Sequence, residues 1–219
     1  DYYFITALPG TSKLTLSNMT VKRAARDTQS AIYVEEGANV EIDNVAFTNG
    51  QGNYGGAINN LGNLFVNNSY FFDNGYFDIT KRANAYWGGA IYNDGVLIID
   101  NTTFEGNHAG RLSTIANQGT LYMSNSYVID SVNANAMNMD LIAIGAYGGQ
   151  KGHMTFVNTV FKVTNRTINE VIGEHVYYIA NSLICLGIGS CEDVTIYDST
   201  FVNEGTRFSP YVFGGINSW

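Results

Sequence analysis

The chain has 219 residues, enough for one domain or at most two, and 45% of them are hydrophobic, so a core can form and wholesale disorder is not expected. Nineteen acidic residues against eleven basic ones leave a formal charge of −8, which repels nucleic-acid phosphates and anionic lipid; we expect neither as a partner. No apolar run could cross a bilayer and no secretion leader opens the sequence, so we expect any targeting or anchoring segment to lie outside this chain.

One short sequence unit recurs seven times along the chain. Each unit reads apolar–x–apolar–x–Asn, and the residue that ends it is here called the corner residue. The corner residues are Asn18, Asn44, Asn68, Asn101, Asn125, Asn158 and Asp198. A further large apolar residue follows three positions later, at Val21, Phe47, Phe71, Phe104, Val128, Phe161 and Phe201. An isoleucine precedes most units, at Ile32, Ile58, Ile91, Ile115, Ile142 and Ile179. Alternation with a period of two predicts strands, and no sustained helical period occurs.

The spacing of the units predicts how these strands are arranged. Units begin at residues 14, 40, 64, 97, 121, 154 and 194, so the interval never falls below 24 residues. A constant minimum with additions indicates coils of one circumference that carry insertions. We therefore expect residues 1–219 to form a single all-β domain, a parallel β-helix (β-solenoid) of about seven three-strand coils. Asn tolerates left-handed backbone angles, and we expect the corner amides to face inward and to bond one another from coil to coil.

Insertions between the second and third strands are expected to leave the coils along one edge. This loop edge collects aromatic and basic side chains, namely Tyr54, Tyr76, Phe77, Lys81, Arg82, Tyr86, Trp87 and Arg111. Aromatic faces stack on sugars or cap apolar protein groups, and Arg donates forked hydrogen bonds, so the loop edge is a candidate ligand-binding surface. In the alternative interpretation, Tyr86 and Trp87 pack over the next coil as a satellite core.

The outward positions of the first strand form a second candidate surface. Phe65, Ile98 and Tyr122 occupy the same outward position on three consecutive coils, and we call them the apolar stripe. If exposed, the stripe is a candidate interface; alternatively, an insertion or another domain covers it. Asp43 and Asp100 lie beside it, two coils apart, near the separation of an inverting glycosidase pair. No Lys, Arg or His shares these positions, so surface acids are the favoured interpretation.

Neither a cofactor nor a metal ion is predicted. The three histidines, His108, His153 and His175, fall in different coils without metal-ligand spacing, and no phosphate-binding glycine loop occurs. Cys185 and Cys191 flank a Gly-rich segment, Leu-Gly-Ile-Gly-Ser. In an oxidising exterior this spacing favours a disulfide that closes a local loop, with two free thiols as the alternative.

Four Asn-x-Ser/Thr sequons are candidate glycosylation sites, at Asn18, Asn67, Asn101 and Asn165. Two of these, Asn18 and Asn101, are corner residues, which we expect to be inward and poorly accessible. Asn67 and Asn165 are therefore the better candidates for carrying glycans.

Two stretches carry a resemblance to a known family. Gly55-Gly56-Ala57-Ile58 recurs as Gly88-Gly89-Ala90-Ile91, and each stretch is followed by a Phe-x-x-Asn string that ends at Asn74 or Asn107. These elements resemble the repeats of the polymorphic outer-membrane proteins first recognised in chlamydiae. With the Asn-x-Gly-x-Leu and Asn-Thr-Thr-Phe strings, the sequence is more similar to the large adhesin-like surface proteins of methanogenic archaea. The resemblance is tight over residues 55–128 and looser over 14–54 and 154–203.

The resemblance implies an exported, right-handed parallel β-helix that serves cell-surface attachment as part of a longer extracellular chain. On that basis the first hypothesis is a non-catalytic adhesin module that binds a glycan or protein on another cell. The second is a polysaccharide-cleaving enzyme, a lyase or glycoside hydrolase, because β-helices also carry such activities. The third is a purely structural spacer in which neither the loop edge nor the apolar stripe contacts anything.

Overall fold

The structure, a computed structural model, describes residues 3–10, 13–22, 29–75, 87–133, 139–146, 152–164, 180–186 and 192–204. Within these ranges the chain is all-β, without a helix, and its strands pair in parallel, which confirms the predicted fold class at this level. It follows that the described ranges contain no helix capable of spanning a membrane.

The strands are short and follow the sequence units closely. In chain order they are β1 (Ile5–Ala7), β2 (Leu14–Lys22), β3 (Ile32–Val34), β4 (Asn39–Thr48), β5 (Ile58–Asn60), β6 (Asn63–Asn67), β7 (Tyr70–Phe72), β8 (Ile91–Asn93), β9 (Val96–Asp100), β10 (Thr103–Glu105), β11 (His108–Ala109), β12 (Ile115–Asn117), β13 (Thr120–Ser124), β14 (Tyr127–Ile129), β15 (Val132–Asn133), β16 (Met139–Gly145), β17 (His153–Val157), β18 (Val160–Val163), β19 (Ala180–Leu186), β20 (Asp193–Tyr197) and β21 (Thr200–Asn203).

The strands assemble into three rows, and successive units add one strand to each of them. The first row runs β2-β4-β6-β9-β13-β17-β20, and the second runs β2-β4-β7-β10-β14-β18-β21. These two rows belong to one sheet because β2 and β4 each continue through a corner residue. The third row is a separate sheet, β1-β3-β5-β8-β12-β16-β19, and β11 pairs with β15 alone.

Pairing aligns the seven units residue for residue in the first row. Leu64 on β6 pairs with Val40 on β4 and with Leu97 on β9, and the same register continues through Leu121 to Met154. These side chains are buried, whereas the residues between them face outward. Because side chains alternate along a strand, one register sets which positions in every unit face the core.

Aromatic rings fill the core behind the corner residues. The rings of Phe47, Phe71 and Phe104 lie on consecutive strands of the second row with centroids 4.8 and 4.7 Å apart, and all three are buried. Burial of each such side chain contributes about 1.5–3 kcal/mol relative to exposure. The large apolar residue three positions after the corner is therefore a principal source of core stability.

The isoleucine column of the third row differs from the prediction in its later members. The column predicts that Ile115 pairs with Ile142, but Ile115 pairs with Ile144. Ile142 lies two residues before Ile144 on the same strand and pairs with Ile184. Both Ile142 and Ile144 are buried, because residues two apart on a strand share a face. The period-two pattern of the sequence therefore could not distinguish Ile142 from Ile144. Ile179 lies outside the described residues.

The third row also starts one strand earlier than the units predict. Ile5–Ala7 pairs in register with Ile32–Val34, so a strand precedes the first apolar–x–apolar unit. Its three residues are too short a run for the alternation to be recognised.

Candidate functional site

Three of the eight predicted loop-edge residues fall within the described ranges. Tyr54 forms a parallel bridge with Trp87; the N–H of Gly55 donates to the Trp87 carbonyl at 2.8 Å, and the N–H of Gly88 donates to the Arg111 carbonyl at 3.2 Å. Tyr54, Trp87 and Arg111 therefore follow one another on neighbouring repeats. The other predicted members, Tyr76, Phe77, Lys81, Arg82 and Tyr86, lie outside the described residues.

The Gly-Gly pairs explain why Tyr54 and Trp87 occupy equivalent positions. Gly55 and Gly88 directly follow them and have φ angles of +72° and +68°. A Cβ atom on Gly55 would lie 1.9 Å from the carbonyl oxygen of Ile58, so no other residue fits this bend. The glycine that the fold requires thus sets the backbone direction of the aromatic residue before it.

The aromatic members of the loop edge differ in exposure. Tyr54 is 51% exposed, whereas Trp87 is partly buried and packs against the buried pair Leu112 and Ala116. The guanidinium carbon of Arg111 lies 5.0 Å from the centroid of the Trp87 ring, a cation–π contact. The structure therefore places Trp87 in a satellite core and leaves Tyr54 as the more accessible aromatic side chain.

Tyr92 belongs to this surface although the sequence interpretation omitted it. Its ring meets the ring of Tyr54 edge-on, with centroids 5.2 Å apart, and it packs against the same small cluster as Trp87. Burial, with smaller effects of Asp94 and Tyr54, raises the pKa of Tyr92 to about 12. Its hydroxyl therefore stays protonated at neutral pH and can donate a hydrogen bond. The sequence feature that could have identified Tyr92 is its place between Ile91 and Asn93. Those two residues are buried, so the tyrosine between them faces outward.

The apolar stripe lies on the outer face of the first row. Phe65 pairs with Ile98, and Ile98 pairs with Tyr122, so the three side chains sit side by side on β6, β9 and β13. Phe65 is 41% exposed and Tyr122 is 40% exposed, with Ile98 half-buried between them. Counting along the units placed these residues together, and the structure shows two accessible rings separated by one strand.

The two aspartates beside the stripe are hydrogen-bonded within the sheet. Asp43 Oδ1 accepts from the Asn68 amide at 2.7 Å, and Asp100 Oδ1 accepts from Ser124 Oγ and from the Asn125 amide, both at 2.7 Å. The Ser124 and Asn125 donors lower the pKa of the Asp100 carboxyl. A general acid needs a raised pKa, so the surroundings of Asp100 act in the opposite direction.

All seven corner residues have left-handed backbone angles, with φ between 44° and 55°. They are exposed, so the expectation that their side chains face inward is wrong. The left-handed residue interrupts the alternation of the strand, and its side chain lies on the outside of the bend. Three amide–amide bonds connect neighbouring repeats, from Asn44 to Asn18, from Asn101 to Asn68 and from Asn158 to Asn125, whereas Asn68 and Asn125 donate instead to the aspartates described above.

The buried amide ladder is formed by other asparagines. Asn60 Nδ2 donates to Asn93 Oδ1 at 2.6 Å, and Asn93 Nδ2 donates to Asn117 Oδ1 at 2.7 Å; all three residues are fully buried. A second buried pair joins Asn74 Nδ2 to Asn107 Oδ1 at 3.1 Å. The signal was present in the repeated Asn-x-Gly-x-Leu and Phe-x-x-Asn strings, which the sequence analysis used for family resemblance and not for hydrogen bonding.

The ranking of the glycosylation sequons rested on the wrong orientation. Asn18 and Asn101 are exposed, so inaccessibility gives no reason to prefer Asn67. Asn67 is half-buried, and the hydroxyl residue of its sequon, Ser69, is buried and donates to the Asn67 carbonyl at 2.6 Å. Asn165 lies outside the described residues.

The remaining predicted positions form no site within the described ranges. His108 contacts Asp73 and His153 contacts Asp193, each at 3.1 Å, and no group of three or more potential metal ligands occurs in the described part of the chain. His175 and Cys191 lie outside those ranges. Cys185 is on strand β19, and its disulfide with Cys191 stays a prediction.

Comparison of the chain with models of protein families, with curated proteins and with solved structures finds no match. The described residues define the class of protein, an all-β chain of parallel, in-register strands with two outward surfaces that carry aromatic side chains. Any more particular assignment depends on the chemistry of those two surfaces.

Proposed function

We propose that the chain is a non-catalytic adhesin module, a right-handed parallel β-helix of about seven coils that acts outside the cell. Its loop edge attaches to a glycan or protein on another cell, as the resemblance to adhesin-like surface proteins of methanogenic archaea implies. The observation that carries the proposal is the succession of Tyr54, Trp87 and Arg111 on neighbouring repeats.

The arrangement of the strands supports the β-helix. Every unit contributes its strands to the rows in the same order, and each row is parallel and in register over most of its length. A chain that winds repeatedly around one axis gives this pattern. Connections between parallel strands of one sheet are right-handed in about 98% of cases, which favours the right-handed form.

The described members of the loop edge have the features of a preorganised recognition surface. Trp87 is packed on one side and covered by Arg111, while Tyr54 contacts Tyr92 and stays half-exposed. Rings held by their neighbours lose little conformational entropy when a ligand binds, so more of the contact energy appears as affinity. Tyr92 adds a protonated hydroxyl beside these rings, a donor suited to sugar or backbone oxygens.

The acidic residues of the first row give less support to an enzyme. Asp43 and Asp100 each accept hydrogen bonds from neighbouring repeats, and the pKa of Asp100 is lowered. The hydrogen bonds suit carboxylates that link the strands, and the lowered pKa favours the ionised form of Asp100. A glycoside hydrolase would need one of the pair to hold a proton at working pH.

A binding experiment tests the adhesin proposal. Protein displayed on beads is applied to whole cells and to a glycan array, and the wild type is compared with Tyr54→Ala and Arg111→Gln. Both variants are expected to bind about tenfold more weakly, as for residues at the centre of a recognition surface. Tyr127→Ala is the matched control, because Tyr127 is 47% exposed on β14, outside the loop edge.

Attachment that is unchanged in both loop-edge variants would refute the proposal. Release of reducing ends from a polysaccharide panel, abolished by Asp100→Asn, would replace it with the enzyme. Cell attachment that persists after removal of the whole segment would favour a spacer.

A further inference from the structure

The outer face of β6, β9 and β13 combines apolar and polar side chains in two parallel columns. The apolar stripe forms one column, with Phe65 and Tyr122 as its accessible rings. Two residues further along the same strands, Asn67 and Asp100 form the second column, which Asp43 extends on β4; the next residue in register, Ser124 on β13, is buried. The accessible polar column therefore runs beside the stripe at Phe65 and Ile98.

The spacing of these columns follows from the sheet. Neighbouring strands are about 4.8 Å apart, so the rings of Phe65 and Tyr122 are separated by roughly 9–10 Å, and the polar column lies roughly 7 Å to one side. No register shift interrupts the pairings from β4 to β17. The outward face is consequently regular, and each strand contributes one side chain to each column.

The polar column keeps capacity for further hydrogen bonds. Within the described residues the side-chain amide of Asn67 makes no hydrogen bond, and Asp43 accepts one side-chain donor, at Oδ1, whereas the Asp100 carboxylate accepts from Ser124, from Asn125 and from the backbone N–H of Asn101. The second carboxylate oxygen of Asp43 can accept from a hydroxyl group, and the Asn67 amide can both donate and accept. The column thus suits a ligand that carries many hydroxyls.

The size and charge of the face select among possible occupants. A stable protein–protein interface buries about 800 Å² per partner around an apolar centre, and a strip of three side chains, each less than half exposed, is too narrow for that. Asp43 and Asp100 make the polar column acidic, and Lys13 is paired with the Glu41 carboxylate beside Phe65, so the face disfavours anionic polymers. An extended chain of pyranose rings advances by about 5 Å per ring, close to one strand spacing.

We propose that the outer face of β6, β9 and β13 is a binding site for a neutral, linear polysaccharide that runs across the strands. The apolar faces of two of its sugar rings stack on Phe65 and Tyr122 and the ring between them lies over Ile98, while hydroxyls bond to the polar column. This site lies on a different face from the loop edge and does not depend on the loop edge binding anything.

Isothermal titration with soluble oligosaccharides tests this site. Cellohexaose and mannohexaose serve as neutral probes and hexagalacturonate as the anionic one. The wild type is expected to bind a neutral probe and not the anionic one, and Phe65→Ala and Tyr122→Ala are each expected to weaken binding about tenfold. Ile98→Tyr completes a row of three rings and is expected to tighten binding. Tyr127→Ala is the matched control, because Tyr127 lies on the second row and is 47% exposed, against 40% for Tyr122.

Each other outcome overturns the inference. The inference is wrong if the wild type binds neither neutral probe. It is also wrong if the Phe65→Ala and Tyr122→Ala variants bind as tightly as the wild type while their circular dichroism is unchanged. Loss of binding in Tyr54→Ala alone would assign the sugar to the loop edge. A wild type that sediments as a dimer, while the Tyr122→Ala variant is monomeric, would make the stripe an interface between copies. The loop-edge proposal fails separately, through cell attachment that is indifferent to Tyr54→Ala.

Discussion

Asn93 is the residue whose replacement gives the sharpest test of the buried amide ladder. It is fully buried; its Nδ2 donates to Asn117 Oδ1 at 2.7 Å and to the carbonyls of Gly95 and Thr120 at 3.2 Å, and its Oδ1 accepts from Asn60 at 2.6 Å. Asp has the same shape but lacks the amide donors. Asn93→Asp therefore changes hydrogen bonding without creating a cavity.

The expected loss of stability depends on pH. A protonated carboxyl at position 93 keeps one donor, so about one acceptor is left unsatisfied, at a cost of about 1–3 kcal/mol. Ionisation removes that donor as well, and burial raises the pKa of the new carboxyl above its unfolded value of about 3.9. The variant is thus least destabilised below pH 4. Its stability falls as pH rises from the unfolded pKa through the raised folded pKa, and the total loss is about 1.4 kcal/mol for each unit by which the folded pKa exceeds the unfolded one.

Urea unfolding followed by circular dichroism at pH 4 and pH 7 measures this difference against the wild type. Asn18→Asp is the matched control. Asn18 is exposed, with φ +55°, and its side chain takes part in the corner hydrogen bonds as an acceptor, through Oδ1 from the Asn44 amide. A carboxylate accepts equally well, so the control is expected to stay within about 0.5 kcal/mol of the wild type. If Asn93→Asp costs no more than the control at pH 7, or costs more at pH 4 than at pH 7, the ladder does not act as described.

Two further predictions concern a glycine bend and a tyrosine. A Cβ on Gly75 would lie 1.6 Å from the His108 carbonyl oxygen, whereas one on Gly106 would meet nothing within 4 Å, although both have positive φ. Gly106→Ala is expected to cost about 1–2 kcal/mol and Gly75→Ala considerably more; equal melting temperatures would contradict this. The pKa of Tyr92 is raised to about 12. The protonated Tyr92 hydroxyl therefore contributes fully to the free energy of unfolding below about pH 10, and this contribution is lost as pH rises towards 12. Tyr92→Phe should flatten the stability profile in that window, and an unchanged alkaline limb would contradict this.

Regular alternation made the sheet register predictable. Side chains alternate with a period of two, and every unit has the same length between its apolar positions, so counting alone aligned Phe65 with Ile98 and Tyr122. The left-handed corner could also be anticipated, because Asn is among the few residues that adopt positive φ at low cost.

The direction of the asparagine side chains could not be predicted in the same way. Asn60 and Asn68 are eight residues apart in one repeat, yet the first is fully buried and the second is exposed. Residue type does not separate them, since an amide can bond either to buried backbone or to a surface neighbour. Even the partner of an exposed amide depends on context: Asn68 donates to Asp43, whereas Asn101 donates to Asn68.

The positions that vary between repeats are the ones that can carry recognition. Where consecutive repeats carry the same residue, as at the buried Asn60, Asn93 and Asn117, the requirement comes from hydrogen bonding between stacked strands. Tyr92, by contrast, pairs with Asn59 on one neighbouring strand and Ala116 on the other. The strand pairing itself does not demand a tyrosine there; the ring instead packs against Tyr54 and the small cluster of Leu112 and Ala116 at the loop edge.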